Sequence, residues 1–303
     1  MHFVTAIYEG KTFIGLTDES QGFILDLQLI EEKKNGRITL PSTLLECLKL
    51  GEEFIEIVVS LRDWVFTQKD STSYFRKMKE VTLLAPIPRP SKNVFCVGKN
   101  YKDHVLEMGS EGDIPEHIMI FTKAPTTVIG HQENILLHKE LTDQLDYEGE
   151  LAVVIGKQGR QIDEQEAMDF VFGYTIINDI TARDLQARHK QFFLGKSLDA
   201  TCPMGPVLVH KSAIEDPHML QISTKVNGET RQDASTSYMM FTIPEIIATL
   251  SKGMTLEPGD IIATGTPAGV GKGFKPPRFL KKGDIVEVYV EGIGSLINQV
   301  EKA

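Results

Sequence analysis

The stretch Asp146-Tyr147-Glu148-Gly149-Glu150 runs straight into Leu151-Ala-Val-Val-Ile155, and nothing else in the chain constrains the fold as strongly. A short continuous apolar run of this kind reads as a buried strand, in which residues two apart point to the same side. Glu148 and Glu150 therefore project together, and two carboxylates on one face repel. Gly149 between them has no side chain, so another backbone or a ligand can approach closely there. Such a pair is tolerable in a low-dielectric cleft if one carboxyl holds its proton or a cation sits between them. A third carboxylate, Asp179, ends another mostly apolar run, Gly173-Tyr-Thr-Ile-Ile-Asn178. Three oxygen donors with no Cys or His pairing nearby describe a hard divalent ion, Mg2+ or Mn2+, better than zinc. On spacing alone, three surface acids at strand ends fit the same residues equally well.

With 303 residues the chain can hold one large or two ordinary domains around a substantial core. Its net charge of −10 comes without any long single-sign block. An electrostatic footprint for nucleic acid or anionic lipid is therefore missing, and affinity for a substrate has to come from a local site. No apolar stretch approaches the ~20 residues of a membrane span, and Met1-His-Phe-Val-Thr lacks the basic and apolar regions of a signal peptide. The expectation is a cytoplasmic protein that binds neither nucleic acid nor membrane. Cys47, Cys96 and Cys202 are odd in number and far apart, which argues for buried thiols rather than disulfides or a Cys-x-x-Cys metal site.

The first quarter reads as a small antiparallel meander, His2 to Tyr8, Thr12 to Leu16 and Phe23 to Leu27, broken at Glu9-Gly10 and at the polar run Thr17 to Gln21. Leu40 to Leu50 follows as a helix with Pro41 in its first turn and Gly51 as its cap. A second helix spans about Glu52 to Thr67. No cluster of His, Asp or Glu with ligand spacing occurs here, so no chemistry is assigned to it. Pro86-Ile-Pro88-Arg-Pro90 is a semi-rigid connector, which predicts a small α/β N-terminal domain over 1–85 and a second domain over 91–303.

Beyond the connector, Asn93 to Gly98 is a short buried strand delivering Lys99-Asn-Tyr-Lys-Asp-His104-Val-Leu-Glu107. If Asn100 caps a short helix, His104 and Glu107 share a face, where the carboxylate can orient the imidazole and raise its basicity. A solvated His–Glu pair on an exposed helix is the competing description. Ser110 to His117 could move as a lid. Asp163 and Glu166 have the spacing of a capping box that opens a helix to about Phe170. Thr181 caps another helix, which places Arg183 and Gln186 within a turn of Asp179, where they could hold a carboxylate or carbonyl oxygen. Lys196, read in isolation, belongs to solvent.

From Met219 onward the pattern is mainly β. Asn227-Gly228 signals a two-residue hairpin, and Thr242-Ile-Pro-Glu245 opens a helix ending at Gly253. The loop Thr264-Gly-Thr-Pro-Ala-Gly-Val-Gly271-Lys-Gly273 is no P-loop, because Gly273 stands where Ser or Thr should follow the lysine. It follows no βαβ unit either, so a dinucleotide fingerprint fails. A backbone able to approach a small anion, or a plain turn, remains.

Taken together these motifs resemble the fumarylacetoacetate hydrolase family. Gly98-Lys-Asn-Tyr101 with His104 and Glu107, Tyr147-Glu-Gly-Glu150-Leu-Ala, Asn178-Asp-Ile-Thr-Ala-Arg183-Asp-Leu-Gln186, Gly195-Lys-Ser197 and Thr264 to Gly271 occur in that family's order over about residues 91 to 300. The resemblance implies an α+β chain whose catalytic domain is a mixed β-roll, usually a homodimer. It implies Mg2+ or Mn2+ on Glu148, Glu150 and Asp179, with Lys196 polarising the substrate or stabilising an oxyanion. His104 and Glu107 become an acid/base pair, and Arg183, Gln186, Lys99, Tyr101, Gly265 and Thr266 lie near the substrate. The His-x-x-Glu pair is similar to that of the smaller acylpyruvase and oxaloacetate decarboxylase members. The first 85 residues look too short and too helical for the N-terminal barrel of the tyrosine-degradation hydrolases. Members act on 2-oxo acids by leaving an enolate whose charge the ion and lysine stabilise. Oxaloacetate decarboxylation to pyruvate is the first choice. Acylpyruvate or fumarylpyruvate hydrolysis, isomerisation of a 2-oxo-diene dicarboxylate, and a metal-bound scaffold are the alternatives.

Overall fold

A computed structural model describes residues 1–18 and 22–302. The acidic strand, Gly149–Ile155, lies buried along its whole length in the middle of a twelve-stranded sheet. On one side it pairs antiparallel with Val171–Asn178, and on the other with Ile261–Ala263. The sheet then continues through Val94–Gly98 to the edge strand Met119–Lys123. In the opposite direction Val171–Asn178 pairs with Cys202–His210, which in turn pairs with His2–Tyr8. Lys11–Asp18, Phe23–Asp26 and Phe75–Lys77 complete that side. The N-terminal meander is thus hydrogen-bonded into the sheet that carries the acids. Residues 19–21, part of the polar run expected to divide the second and third strands, lie outside the described residues.

Both faces of this sheet are covered, which is why the acidic strand reads as a continuous apolar run rather than an alternating one. Leu151, Val153 and Ile155 join the core shared with a second, five-stranded sheet, through Ile222, Val286 and Val288. Ala152 and Val154 join a separate core beneath the helix Glu52–Thr67. That helix forms with the expected bounds, and its buried stripe of Phe54, Val58, Leu61 and Val65 follows helical spacing. Gly149 explains itself at this junction. A Cβ there would overlap Thr224 and Val288 of the second sheet, so glycine is what lets the two layers close.

Local signals were followed where their partners are local. Asn227 and Gly228 turn at φ 52° and 80° between Gln221–Val226 and Glu229–Ser235, and Thr242 with Glu245 makes a reciprocal capping box on the helix Ile243–Ser251. Elsewhere tertiary contacts overrode the local reading. Pro41 precedes the first turn of a shorter helix, Leu44–Leu48, capped by Thr43. Gly51, at φ 62°, begins the next helix instead of ending this one. Asp163 and Glu166 are joined only by a backbone turn, and the helical segment is a single turn over Ala167–Phe170. All three cysteines are buried free thiols. Among the described residues no helix is long and apolar enough to cross a membrane.

Phe3, fully buried, holds its ring tilted at 5.1 Å from Phe54 and 5.6 Å from Phe172, tying the first strand and the long helix to the sheet. Truncating such a ring costs both its transfer free energy and the cavity left behind. Phe3→Ala should therefore destabilise the protein by about 3–5 kcal/mol, read as a lowered midpoint in chemical denaturation with an unchanged slope.

Candidate metal and acid–base site

Glu148 and Glu150 do share a face, and Asp179 meets them there. One carboxylate oxygen of each lies within 4.8 Å of the other two, and all three side chains are buried. The backbone enforces the convergence, because Asp179 donates its N–H to the Glu148 carbonyl and Asn178 Oδ1 accepts from Glu148 N. Three buried cations face this charge. Lys196 Nζ bridges Glu148 Oε2 at 2.7 Å and Asp179 Oδ2 at 2.6 Å. Arg183 reaches Glu148 Oε1 at 2.6 Å and Asp146 Oδ2 at 2.8 Å. Lys123 Nζ sits 2.9 Å from Asp179 Oδ1 while donating to the Ile180 carbonyl.

The electrostatics divide the two glutamates. Burial works against ionising Glu148, but Lys196, Arg183 and His104 outweigh it and hold its carboxyl below the ordinary range. Burial pushes Glu150 well above that range, and the charges of Asp179 and Glu148 push the same way. Gly265 N–H, 2.7 Å from Glu150 Oε2, only partly opposes the rise. For Lys196 burial favours the neutral amine, yet Asp179 and Glu148 overcome it and keep the ammonium.

These residues fit a divalent cation. The donor set is all oxygen, and Asp179 Oδ1 is buried with no aligned hydrogen-bond donor, since Lys123 approaches it as an ion pair off the bonding direction. Glu148, Glu150 and Asp179 would hold the ion.

His104 and Glu107 lie on the helix Lys102–Met108, and His104 Nδ1 donates to Glu107 Oε1 at 3.0 Å. Glu107 is itself gripped by the glycine loop, whose Gly269 N–H donates to both its oxygens and Val270 N–H to one. Gly269 adopts φ 106°, and a Cβ at Gly273 would strike the Glu107 carboxylate. The loop is glycine-rich so that its backbone can wrap this side chain. With Nδ1 committed, Nε2 is the nitrogen left for a cavity of about 310 Å3 that His104 lines together with Glu148, Glu150, Arg183, Gln186, Lys196 and Thr266.

The remaining expected residues are placed unevenly. Lys99 lines the same cavity with its ammonium on the Asp113 carbonyl at 3.2 Å. Gln186 Oε1 lies 3.4 Å from Arg183 Nη1, while Arg183 Nη2 is buried without an acceptor. Gly265 acts through its N–H on Glu150. Tyr101 is not brought to this cavity. It lines a neighbouring one, its hydroxyl buried and unpartnered. Neither expected helix cap forms. Asn100 instead bonds Phe241 and the Thr264 carbonyl, and the Thr181 hydroxyl donates to the Asp179 carbonyl. Lys123 and Asp146 are the residues that sequence reasoning missed. Asp146 accepts from Gly271 and Lys272 as well as Arg183, so it joins the glycine loop to the cluster.

A buried three-carboxylate cluster whose donors fit a divalent cation thus shares one cavity with a carboxylate-oriented histidine. Residues 93–301 match the fumarylacetoacetate hydrolase C-terminal family, and the chain belongs to that family. It is 57% identical over 301 residues to the oxaloacetate tautomerase YisK of Bacillus subtilis, covering 99% of this chain and all of that protein. The solved fumarylacetoacetate hydrolase of Exiguobacterium antarcticum superposes with a TM-score of 0.82 at 43% identity, both chains fully covered. Maleylpyruvate hydrolase of Sphingobium sp. SYK-6, solved with manganese(II) and pyruvate, gives 0.79 at 25%, again over both full chains. These matches establish the α+β fold of that family for this chain.

Because Glu150 holds its proton well beyond the usual range while a bound cation demands the carboxylate, ion binding should release a proton. Apparent Mn2+ affinity should then rise with pH, by up to about tenfold per unit while one proton is displaced. Calorimetry in buffers of different ionisation enthalpy measures the release, and Glu150→Gln should abolish it.

Proposed function

We propose that this chain interconverts the keto and enol forms of oxaloacetate, with Mg2+ or Mn2+ on Glu148, Glu150 and Asp179. The observation that carries the reading is the His104–Glu107 pair facing the carboxylate–lysine cluster across one cavity. Enolisation needs a base for a C3 proton and positive charge for the oxygen on C2, and the two walls supply one each. The name of the Bacillus subtilis relative supports oxaloacetate as the acid.

When bound, the ion would act as a Lewis acid toward the 2-oxo group. His104 Nε2 removes a proton from C3, the C–H electrons become the C2–C3 double bond, and the former carbonyl oxygen takes the negative charge. Lys196 meets that charge, and Arg183 Nη2 offers a substrate oxygen the acceptor position that the protein leaves unfilled. Protonation of the oxygen gives the enol. In the reverse direction the imidazolium returns a proton to C3. Glu107 fixes the tautomer and stabilises the imidazolium.

Decarboxylation to pyruvate, the first choice from the sequence, is kept as the second reading. It reaches the same type of enolate by losing the C4 carboxylate, and the cation-rich wall around Lys196 serves it equally. It needs no base at C3, however, and the ordered imidazole is what favours tautomerisation.

The purified manganese-loaded protein should speed the loss of the enol's ultraviolet absorbance without matching release of pyruvate. His104→Asn should slow this by about 10²–10⁴-fold while sparing metal binding, whereas Glu148→Ala should abolish both. Pyruvate formed at the rate oxaloacetate disappears would establish the decarboxylase instead. Inertness toward oxaloacetate together with cleavage of acetylpyruvate would establish a hydrolase.

A further inference from the structure

Five cationic side chains line the catalytic cavity: Lys99, Arg183, Lys190, Lys196 and Lys272. Three are committed. Arg183 and Lys196 hold the buried carboxylates, and Lys99 is tied to Asp113. Among the described residues Lys190 and Lys272 have no acidic side chain within ion-pair distance, and both are exposed, so they stand at the mouth above the buried cluster.

The backbone at Lys190 singles it out. Its φ is 58° and ψ −42°, and the His189 carbonyl accepts from Gln191 N–H at 2.6 Å across it. That is a γ-turn of the positive-φ kind, rare and strained for any residue with a Cβ, and one that glycine would adopt at less cost. The turn cannot easily relax, because the helix Arg183–His189 and the helix Phe193–Lys196 pack too closely for a Cβ at Gly195, which would strike Gln186. A strained residue held at the rim of a catalytic cavity marks a side chain kept for what it does there. Lys272 is placed by a different element, with its N–H on Asp146 Oδ2 at 3.0 Å, in the loop that also grips Glu107.

We propose that Lys190 and Lys272 form the specificity site for the second carboxylate of a dicarboxylic 2-oxo acid. The inference rests on the functional reading above and adds to it. An acid whose 2-oxo end lies at the buried carboxylates, beside Lys196 and Arg183, has its far end directed toward the mouth. Among the described lining residues, the two lysines not tied to an acidic side chain meet it there. Neither lysine takes part in proton transfer, so both select the substrate by charge.

The test compares two acids that differ in the distal carboxylate, oxaloacetate and pyruvate, each titrated into manganese-loaded protein and read as the shift in thermal midpoint, which requires no turnover. The wild type should bind oxaloacetate more tightly. Lys190→Gly combined with Lys272→Met should weaken oxaloacetate by about tenfold or more, as expected for loss of a charge-assisted contact, and leave pyruvate within about twofold. Lys190→Gly alone should fold with an equal or higher thermal midpoint, since it relieves the turn, and Lys190→Arg should keep the discrimination. Equal weakening of both acids, or no weakening of oxaloacetate, would overturn the proposal. Enol turnover measured on the same preparations judges the functional reading separately, because a wild type that tautomerises oxaloacetate but does not discriminate the two acids refutes only the specificity site.

Discussion

Mutual repulsion among three buried carboxylates is the constraint around which this molecule is arranged. Glu148, Glu150 and Asp179 are forced together by strand pleat and by the backbone bond between Asp179 and Glu148. Left alone, that much like charge in a dry interior would unfold the site or protonate it. Lys123, Lys196 and Arg183 answer it at Glu148 and Asp179, each from a different element, while burial and its acidic neighbours push Glu150 toward the protonated form. Each cation must itself be desolvated, so the cluster is built for charge placement more than for stability. Two large cores on either side of the sheet supply the stability that lets it persist.

The cations play unequal parts. Lys123 is fully enclosed and bonded to a backbone carbonyl, so it is a fixed counter-charge for Asp179. Lys196 sits between two acids and borders the cavity, where it can answer either the acids or a developing oxyanion. Arg183 spans Asp146 and Glu148, and through Asp146 the cluster is joined to the glycine loop that also orients His104. The two halves of the site, charge and base, are therefore held by one loop.

What the sequence made legible was whatever depends on near neighbours. The paired glutamates followed from the period of a strand, the hairpin from Asn227-Gly228, and the helix over residues 243–251 from its reciprocal cap. Side chains whose partners lie far along the chain were misread. Asn100 and Thr181 have the chemistry of helix caps, but Asn100 spends its amide on Phe241 and Thr264, more than 140 residues away. Lys123 follows Phe-Thr and precedes Ala-Pro, a context with no signal at all, and only the fold brings it to Asp179. Lys196 read as solvated because nothing local shows that two buried acids surround it.

The first strand has a role that its distance from the chemistry conceals. His2 and Phe3 pair with Val209 and Leu208, so the opening residues cap what would otherwise be the bare rim of Cys202–His210. A fragment trimmed to the family-matched segment would lose these pairs and bare the backbone of Leu208 and Val209, while Cys202 and Pro203 stay paired with Val128 and Ile129. One end of a central strand is thereby completed by a meander that carries none of the site's reactive groups.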